Sequence, residues 1–344
     1  MVSLRRSTWG LLVLLIVPFF THAQLLTGLE RPLDVSMTPQ YPAAGEEVRL
    51  SVSSYGLDLD RSAIIWYADG KEIARNTTET KVTAGKLGSL INITVVAEET
   101  DGLIGSGSAR IRPTEVDLIW SSDSYAPPYF KGRKLAGSSA RIRAEALVRF
   151  TRADGTMIPS NEIIYTWHRG TTRILQGRGR SSVEFAGPAL FSSEEVTVSA
   201  QSTDGAYVGR ASVRISGVDP TLELYENHPL FGVLYHRALT GSVVTAEKEQ
   251  RVTAVPYFAH VSTPEEKALS YSWSVAGGPV RPNPDEPQNL TVTSNGYAGP
   301  ARIELDLTSA SDLFLKARGS WELVFSESAL FSGSGSDDPF ARPE

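Results

Sequence analysis

Ile163-Ile164-Tyr165-Thr166-Trp167 decides the fold. β-Branched and aromatic residues fill it, which suits a strand buried on at least one face. The same kind of segment occurs twice more, as Ile64-Ile65-Trp66-Tyr67 and as Leu269-Ser270-Tyr271-Ser272-Trp273. The three tryptophans recur at a spacing of about 100 residues, the size of a domain rather than of a solenoid unit. Two further marks keep the same order. Ile93–Ala97, Asp101-Gly102 and Ser108–Arg112 match Val196–Ala200, Asp204-Gly205 and Ala211–Ile215, with Ile303–Leu307 and Ser320–Phe325 as a looser third copy. Before each hairpin stands Thr83-Ala84-Gly85, Phe185-Ala186-Gly187-Pro188 or Tyr297-Ala298-Gly299-Pro300. Asp-Gly between alternating strands suits a tight turn, because glycine accepts positive φ.

Around these marks the pattern alternates with period two, as in Val48–Val52, Ala140–Ala144 and Ala211–Ile215, and turn residues interrupt it every few positions. Helical periodicity is almost absent. Short alternating strands around a central tryptophan predict an all-β chain of three tandem Ig-like sandwiches in a rod. The expected division is a signal peptide at 1–23, modules at 24–114, 115–218 and 219–325, and a disordered Gly/Ser/Asp-rich tail at 326–344. Trp66, Trp167 and Trp273 are expected at equivalent core positions.

The N-terminus reads as an export signal: Arg5 and Arg6, an apolar core Leu11–Phe20, then Thr21-His22-Ala23 with small residues before a cleavage point. The rival reading is an uncleaved anchor. No other stretch is apolar and long enough to span a bilayer as a helix. Of 33 basic residues two lie in the signal, which leaves 31 against 39 acidic ones and a net charge of −8. That balance argues against nucleic acid, which requires a basic face. The chain has no cysteine. Disulfides, thiol catalysis and cysteine-held metals are therefore excluded, and stability must come from apolar cores.

From first to second strand, modules two and three carry more residues than module one. The additions are aromatic: Tyr125-Ala126-Pro127-Pro128-Tyr129-Phe130, and Pro229-Leu230-Phe231-Gly232-Val233-Leu234-Tyr235. So much apolar surface needs a cover. Only these modules follow another, so Tyr129 and Phe130 are expected on module one, and Phe231 and Tyr235 on module two. Tyr125 belongs to the same set of interdomain or partner contacts. Two other readings stand beside this one: a platform for a partner, and a hairpin that caps its own sandwich.

Chemistry-bearing constellations are few. His168, His228, His236 and His260 lack the spacing of a helical zinc site, and no Gly-x-Ser-x-Gly elbow occurs. Gly105-Ser106-Gly107 and Gly177-Arg178-Gly179 open no helix and read as turns. Asp58 and Asp60 read as caps of a helical turn, and the sequons at Asn76, Asn92 and Asn289 as chance. Arg133, Lys134, Arg141, Arg143, Arg149 and Arg152 read as a solvated face, with an anionic polymer as the alternative ligand. No catalytic residue, cofactor or metal is expected.

Tyr165-Thr166-Trp167 and Tyr271-Ser272-Trp273 resemble the central strand of bacterial Ig-like and PKD-like modules. The Gly-Asp-Gly-type turn of true PKD domains is replaced by Ala68-Asp69-Gly70, Arg169-Gly170 and Ala276-Gly277-Gly278. Through Asp58–Ser62, Val116–Trp120, Asp219-Pro220 and His228–Val233, the chain resembles a family of exported three-module proteins from small-genome candidate-phylum bacteria. The resemblance implies the fold and export, and supplies no catalytic residues. The expected function is a non-enzymatic secreted or cell-surface scaffold, within an envelope or pilus-type assembly. The alternative is an adhesion module that binds glycan or protein through the aromatic insertions. Expected partners are proteins or surface polymers.

Overall fold

The computed structural model describes residues 31–296 and 298–326, so the signal sequence, its cleavage point and the tail from 327 onward lie outside the described residues. The described chain is built of strands, with two short 3-10 turns at Leu59–Arg61 and Ser160–Glu162 and no α-helix. Six sheets form, two within each of three successive stretches of chain. One compact unit comprises residues 31–40, 48–82 and 91–111, and the second comprises 41–47, 83–90 and the described residues from 112 to 326.

In the first stretch, Asp34–Thr38, Glu47–Ser53 and Glu79–Thr83 make a three-stranded sheet. A five-stranded sheet runs from Arg31–Pro32 through Ile104–Ile111, Ile91–Glu99 and Ser62–Ala68 to Lys71–Arg75. Alternation does the sorting: in Glu47–Ser53, Val48, Leu50 and Val52 turn inward while Glu47, Arg49 and Ser53 face water. Asp58 caps the 3-10 turn, its carboxylate accepting the Asp60 amide at 3.2 Å.

The second stretch pairs Glu115–Ser122, Arg141–Arg149 and Ser182–Ala186 against Thr172–Arg178, Ile163–Arg169, Ser193–Ser202 and Val208–Ser216. One core lies between these two sheets, with Ile142, Phe150, Tyr165, Trp167, Val198 and Ile215 in it. In the third, a sheet of Gly232–Leu239, Thr221–His228, Glu249–Tyr257 and Asn289–Thr293 faces a second sheet. The facing sheet holds Ser242–Thr245, Lys316–Phe325, Gly299–Ser309, Leu269–Val275 and Gly278–Val280. Leu224, Val252, Tyr271, Trp273, Leu305 and Leu323 share its core.

Trp66, Trp167 and Trp273 are all buried to 2 % exposure or less. Each satisfies its indole N–H in the same way, by donating to a backbone carbonyl further along the chain: Thr77 at 2.8 Å, Arg180 at 2.9 Å and Pro287 at 2.9 Å. A buried indole needs such a partner.

The turns differ from expectation in an instructive way. The two-residue hairpins follow the tryptophan strands, where Asp69-Gly70 and Ala276-Gly277 both hold positive φ at each position. That is the requirement of a type I′ turn. At Asp101-Gly102 and Asp204-Gly205 only the glycine has positive φ. There the aspartate instead accepts the amide two residues on, Leu103 at 3.1 Å and Ala206 at 3.0 Å.

The insertion of the third stretch forms a hairpin, Thr221–His228 with Gly232–Leu239, whose second strand becomes the edge of its own sheet. The insertion of the second stretch forms no strand between Ser122 and Arg141.

Candidate functional site at the joint of the second and third sheet pairs

The second-stretch loop after Ser122 is folded on itself before it meets anything else. The Ser124 hydroxyl donates to the Leu135 carbonyl at 2.6 Å, and the Asp123 carboxylate accepts the Arg141 amide at 2.8 Å. This holds Tyr125 so that its amide donates to the Ala259 carbonyl at 2.7 Å, and its carbonyl accepts the Phe258 amide at 2.8 Å. Two reciprocal backbone bonds thus tie the second sheet pair to the third. Phe258 sits at φ 61, unusual for a bulky residue. Gly137 makes the approach possible, because a Cβ there would lie 1.9 Å from the Phe258 carbonyl oxygen. The Ser138 hydroxyl donates to Asp312 at 2.8 Å, and His260 Nε2 lies 3.4 Å from Asp123 Oδ2.

Aromatic rings fill the space beside these bonds. Phe130 meets Tyr257 and Phe258 edge-on, at 5.7 and 6.0 Å between centroids. Tyr257 and Tyr225 share a 2.6 Å hydrogen bond through their hydroxyls. Tyr225 packs on Tyr235 at 5.5 Å, and Tyr235 lies beside Tyr125. The Tyr271 hydroxyl donates to the Pro264 carbonyl at 2.8 Å. Burial pushes Tyr125, Tyr225, Tyr235 and Tyr271 above the ordinary tyrosine value. All four hydroxyls therefore stay protonated near neutral pH and do not serve as bases.

Next to the rings opens a cleft of about 630 Å³, whose walls include Tyr125, Pro127, Tyr235, Asn227, Gln288 and Asn289. Gln288 is 5 % exposed. Its Nε2 donates to Glu265 at 3.1 Å, while its buried Oε1 has no hydrogen-bond partner. The neighbouring amides are fixed in a chain. Asn227 Nδ2 donates to Thr253 Oγ1 at 3.0 Å, Thr253 donates to Asn289 Oδ1 at 2.6 Å, and Asn289 Nδ2 donates to Glu286 at 2.9 Å. Arg251 in turn pairs with Glu286.

The site gathers some of the residues singled out from the sequence and separates others. Tyr125 and Tyr235 come together from different sheet pairs. Phe130, expected on the preceding module, lays its ring on Tyr257 and Phe258 of the following sheet pair. The physical reason is the loop's backbone pairing with Phe258 and Ala259, which carries Phe130 in that direction. Tyr129 is 91 % exposed and Phe231 75 % exposed, so neither is a buried contact. Phe231 stacks on His228 of its own hairpin at 4.7 Å, and His228 Nδ1 accepts the Leu230 amide at 3.1 Å. Sequence reasoning missed Gln288, Asn227, Thr253 and Glu265, and it read Asn289 only as a chance sequon. No local pattern marks these residues, since their partners come from separate strands.

Three of the six cations singled out in the second stretch are paired with acids. Arg143 pairs with Glu184, Arg149 with Glu115 and Asp117, and Arg152 with Glu162. Exposed pairs of this kind add little stability. They do offset the charge of these three arginines.

No family model matches the chain, and no curated protein is similar to it in sequence. Several solved structures are similar. Three N-terminal domains of the bacteriophage RB49 Highly Immunogenic Outer Capsid protein are 13% identical, with 86% of this chain and 98% of that one covered and a TM-score of 0.26. The central fibronectin-III array of RIM-binding protein is 14% identical, with coverages of 85% and 95% and a TM-score of 0.31. A Bacteroides ovatus protein of a mixed-linkage glucan utilization locus, solved with a mixed-linkage heptasaccharide, is 10% identical, with coverages of 85% and 70% and a TM-score of 0.25. At these scores nothing about function carries across.

Proposed function

We propose that this chain is an exported, non-enzymatic scaffold and binding protein of three Ig-like modules, at 24–114, 115–218 and 219–325, acting at a cell surface or envelope. The observation that carries the reading is the reciprocal backbone pairing of Tyr125 with Phe258 and Ala259. Flexibly strung modules have no need of main-chain bonds across a joint; a protein that holds binding surfaces at a set spacing does. The Ser138–Asp312 bond and the Phe130 contacts act in the same sense. Among the described residues no helix is long and apolar enough to cross a membrane.

The test uses the absence of cysteine. Thr172 and Thr308 are exposed, one in each sheet pair. With Thr172→Cys and Thr308→Cys spin-labelled in the full mature chain, a single narrow distance distribution is expected. A broad one in neutral buffer overturns the scaffold reading.

A further inference from the structure

We propose that the cleft beside the joint is a binding site for a neutral saccharide, an inference that rests on the reading of the chain as a binding scaffold. The cleft's volume of about 630 Å³ lies in the range of small-molecule sites. Its lining combines two kinds of surface. The half-buried rings of Tyr125 and Tyr235, with Pro127, offer flat apolar faces of the sort that pack on the C–H side of a sugar ring. Beside them stand side-chain amides and hydroxyls. A sugar hydroxyl is donor and acceptor at once, and amides present both functions at a fixed spacing.

Gln288 is the decisive residue. Burying an amide oxygen without a partner is costly, and a native fold retains one only where something recompenses it. Glu265 takes one proton of Nε2 and fixes which end of the amide is the oxygen. Oε1 is sealed from solvent in this structure, and a turn of the Gln288 side chain toward the cleft would give it a ligand hydroxyl as donor. Asn227, Thr253 and Asn289 are oriented by the hydrogen-bonded chain that ends on Glu286 and Arg251. Groups held in this way lose little entropy on binding, so even a weakly interacting hydroxylated ligand gains.

Charge selects the class. One cation, Lys134, and one anion, Glu265, line the cleft. An acidic glycan or a phosphate would require an excess of Arg or Lys, and the tyrosine hydroxyls do not ionise to recruit a cation. A peptide is disfavoured because two of the four buried lining residues, Thr253 and Gln288, are polar and the other two are Pro127 and Pro264, which leaves little apolar pocket for an anchoring side chain.

The experiment probes the full mature chain on a printed array of neutral gluco-, manno-, galacto- and xylo-oligosaccharides, beside acidic oligosaccharides and proline-rich peptides. Calorimetric titration of the tightest binder follows. The expected result is binding to a neutral oligosaccharide with little dependence on salt, weakened about tenfold or more by Gln288→Met and by Tyr235→Ala. Asn227→Ala, at a half-buried position, serves as the third variant if Gln288→Met does not fold. No neutral oligosaccharide bound, a preference for the acidic or peptide probes, or equal binding by the folded variants overturns the inference. The spin-label distance is read on the same samples. A narrow distance without saccharide binding removes this inference alone, and saccharide binding with a broad distance removes the rigid-scaffold reading alone.

Discussion

Ser138 and Asp312 lie 174 residues apart in the chain and share a 2.8 Å hydrogen bond. Burial by itself raises the Asp312 pKa. The hydroxyls of Ser138 and Ser139 and the amides of Phe314 and Leu315 outweigh it and hold the carboxyl below its ordinary value. A carboxyl depressed by folding adds stability above its unfolded pKa and loses it as pH falls through the folded value. The joint is therefore expected to loosen in acid, below the usual carboxylate range of about 4. Spin-label distances measured across that range check this, and Asp312→Asn is expected to broaden the distribution at neutral pH and to flatten its acid response.

Gly137→Ala tests the close approach itself. The added methyl would sit 1.9 Å from the Phe258 carbonyl oxygen, which is backbone and cannot swing aside. The expected cost is about 1–3 kcal/mol, taken by separation of the joint rather than by unfolding of either core. Chemical denaturation and the spin-label distance together distinguish these outcomes. A variant with the wild-type distance distribution would show that the joint tolerates a larger gap than the backbone bonds imply.

The cores were legible because their information is local. A strand such as Ile163–Arg169 announces itself by alternation, and the tryptophan repeats with it. The direction in which Phe130 packs was not legible. Its partners Tyr257 and Phe258 belong to the next sandwich, and the pairing that aims it is made by main-chain atoms. The two insertions look alike in composition, yet one folds into an edge hairpin and the other into a strandless loop. Gln288 was invisible for a related reason. Its unpartnered oxygen is a property of surroundings assembled from several segments, and glutamine carries no motif.

The tryptophans separate packing from hydrogen bonding. Trp167→Ala removes a fully buried side chain and is expected to destabilise by about 3–5 kcal/mol. Trp167→Phe keeps much of the volume but leaves the Arg180 carbonyl without its 2.9 Å donor. A loss of about 1–3 kcal/mol is expected from the unsatisfied acceptor. The same ordering is expected at Trp66 and Trp273, which donate to Thr77 and Pro287. Urea titrations monitored by circular dichroism measure it, and an equal cost for Phe and Ala at one site would mean that packing does not dominate there.

Export has its own readout. The reading of Thr21-His22-Ala23 as a cleavage site predicts that protein released into the medium begins at Gln24. N-terminal sequencing of that material decides it, and chains retained in the membrane fraction with Met1 intact would favour the anchor.

The two aromatics of the third-stretch insertion are expected to behave in opposite ways. Tyr235 packs on Tyr225 and lies beside Tyr125 of the second sheet pair. Phe231 is 75 % exposed and stacks only on His228 at the hairpin tip. Burying a large side chain is worth about 1.5–3 kcal/mol, so Tyr235→Ser removes a contact that the joint uses. Phe231→Ser exposes nothing further and should leave the joint as it was. Small-angle scattering on the full mature chain is expected to show added flexibility for Tyr235→Ser and an unchanged profile for Phe231→Ser. If Phe231→Ser loosens the chain as much as Tyr235→Ser does, the hairpin tip takes part in holding it, and the division drawn here between joint and exposed tip is wrong.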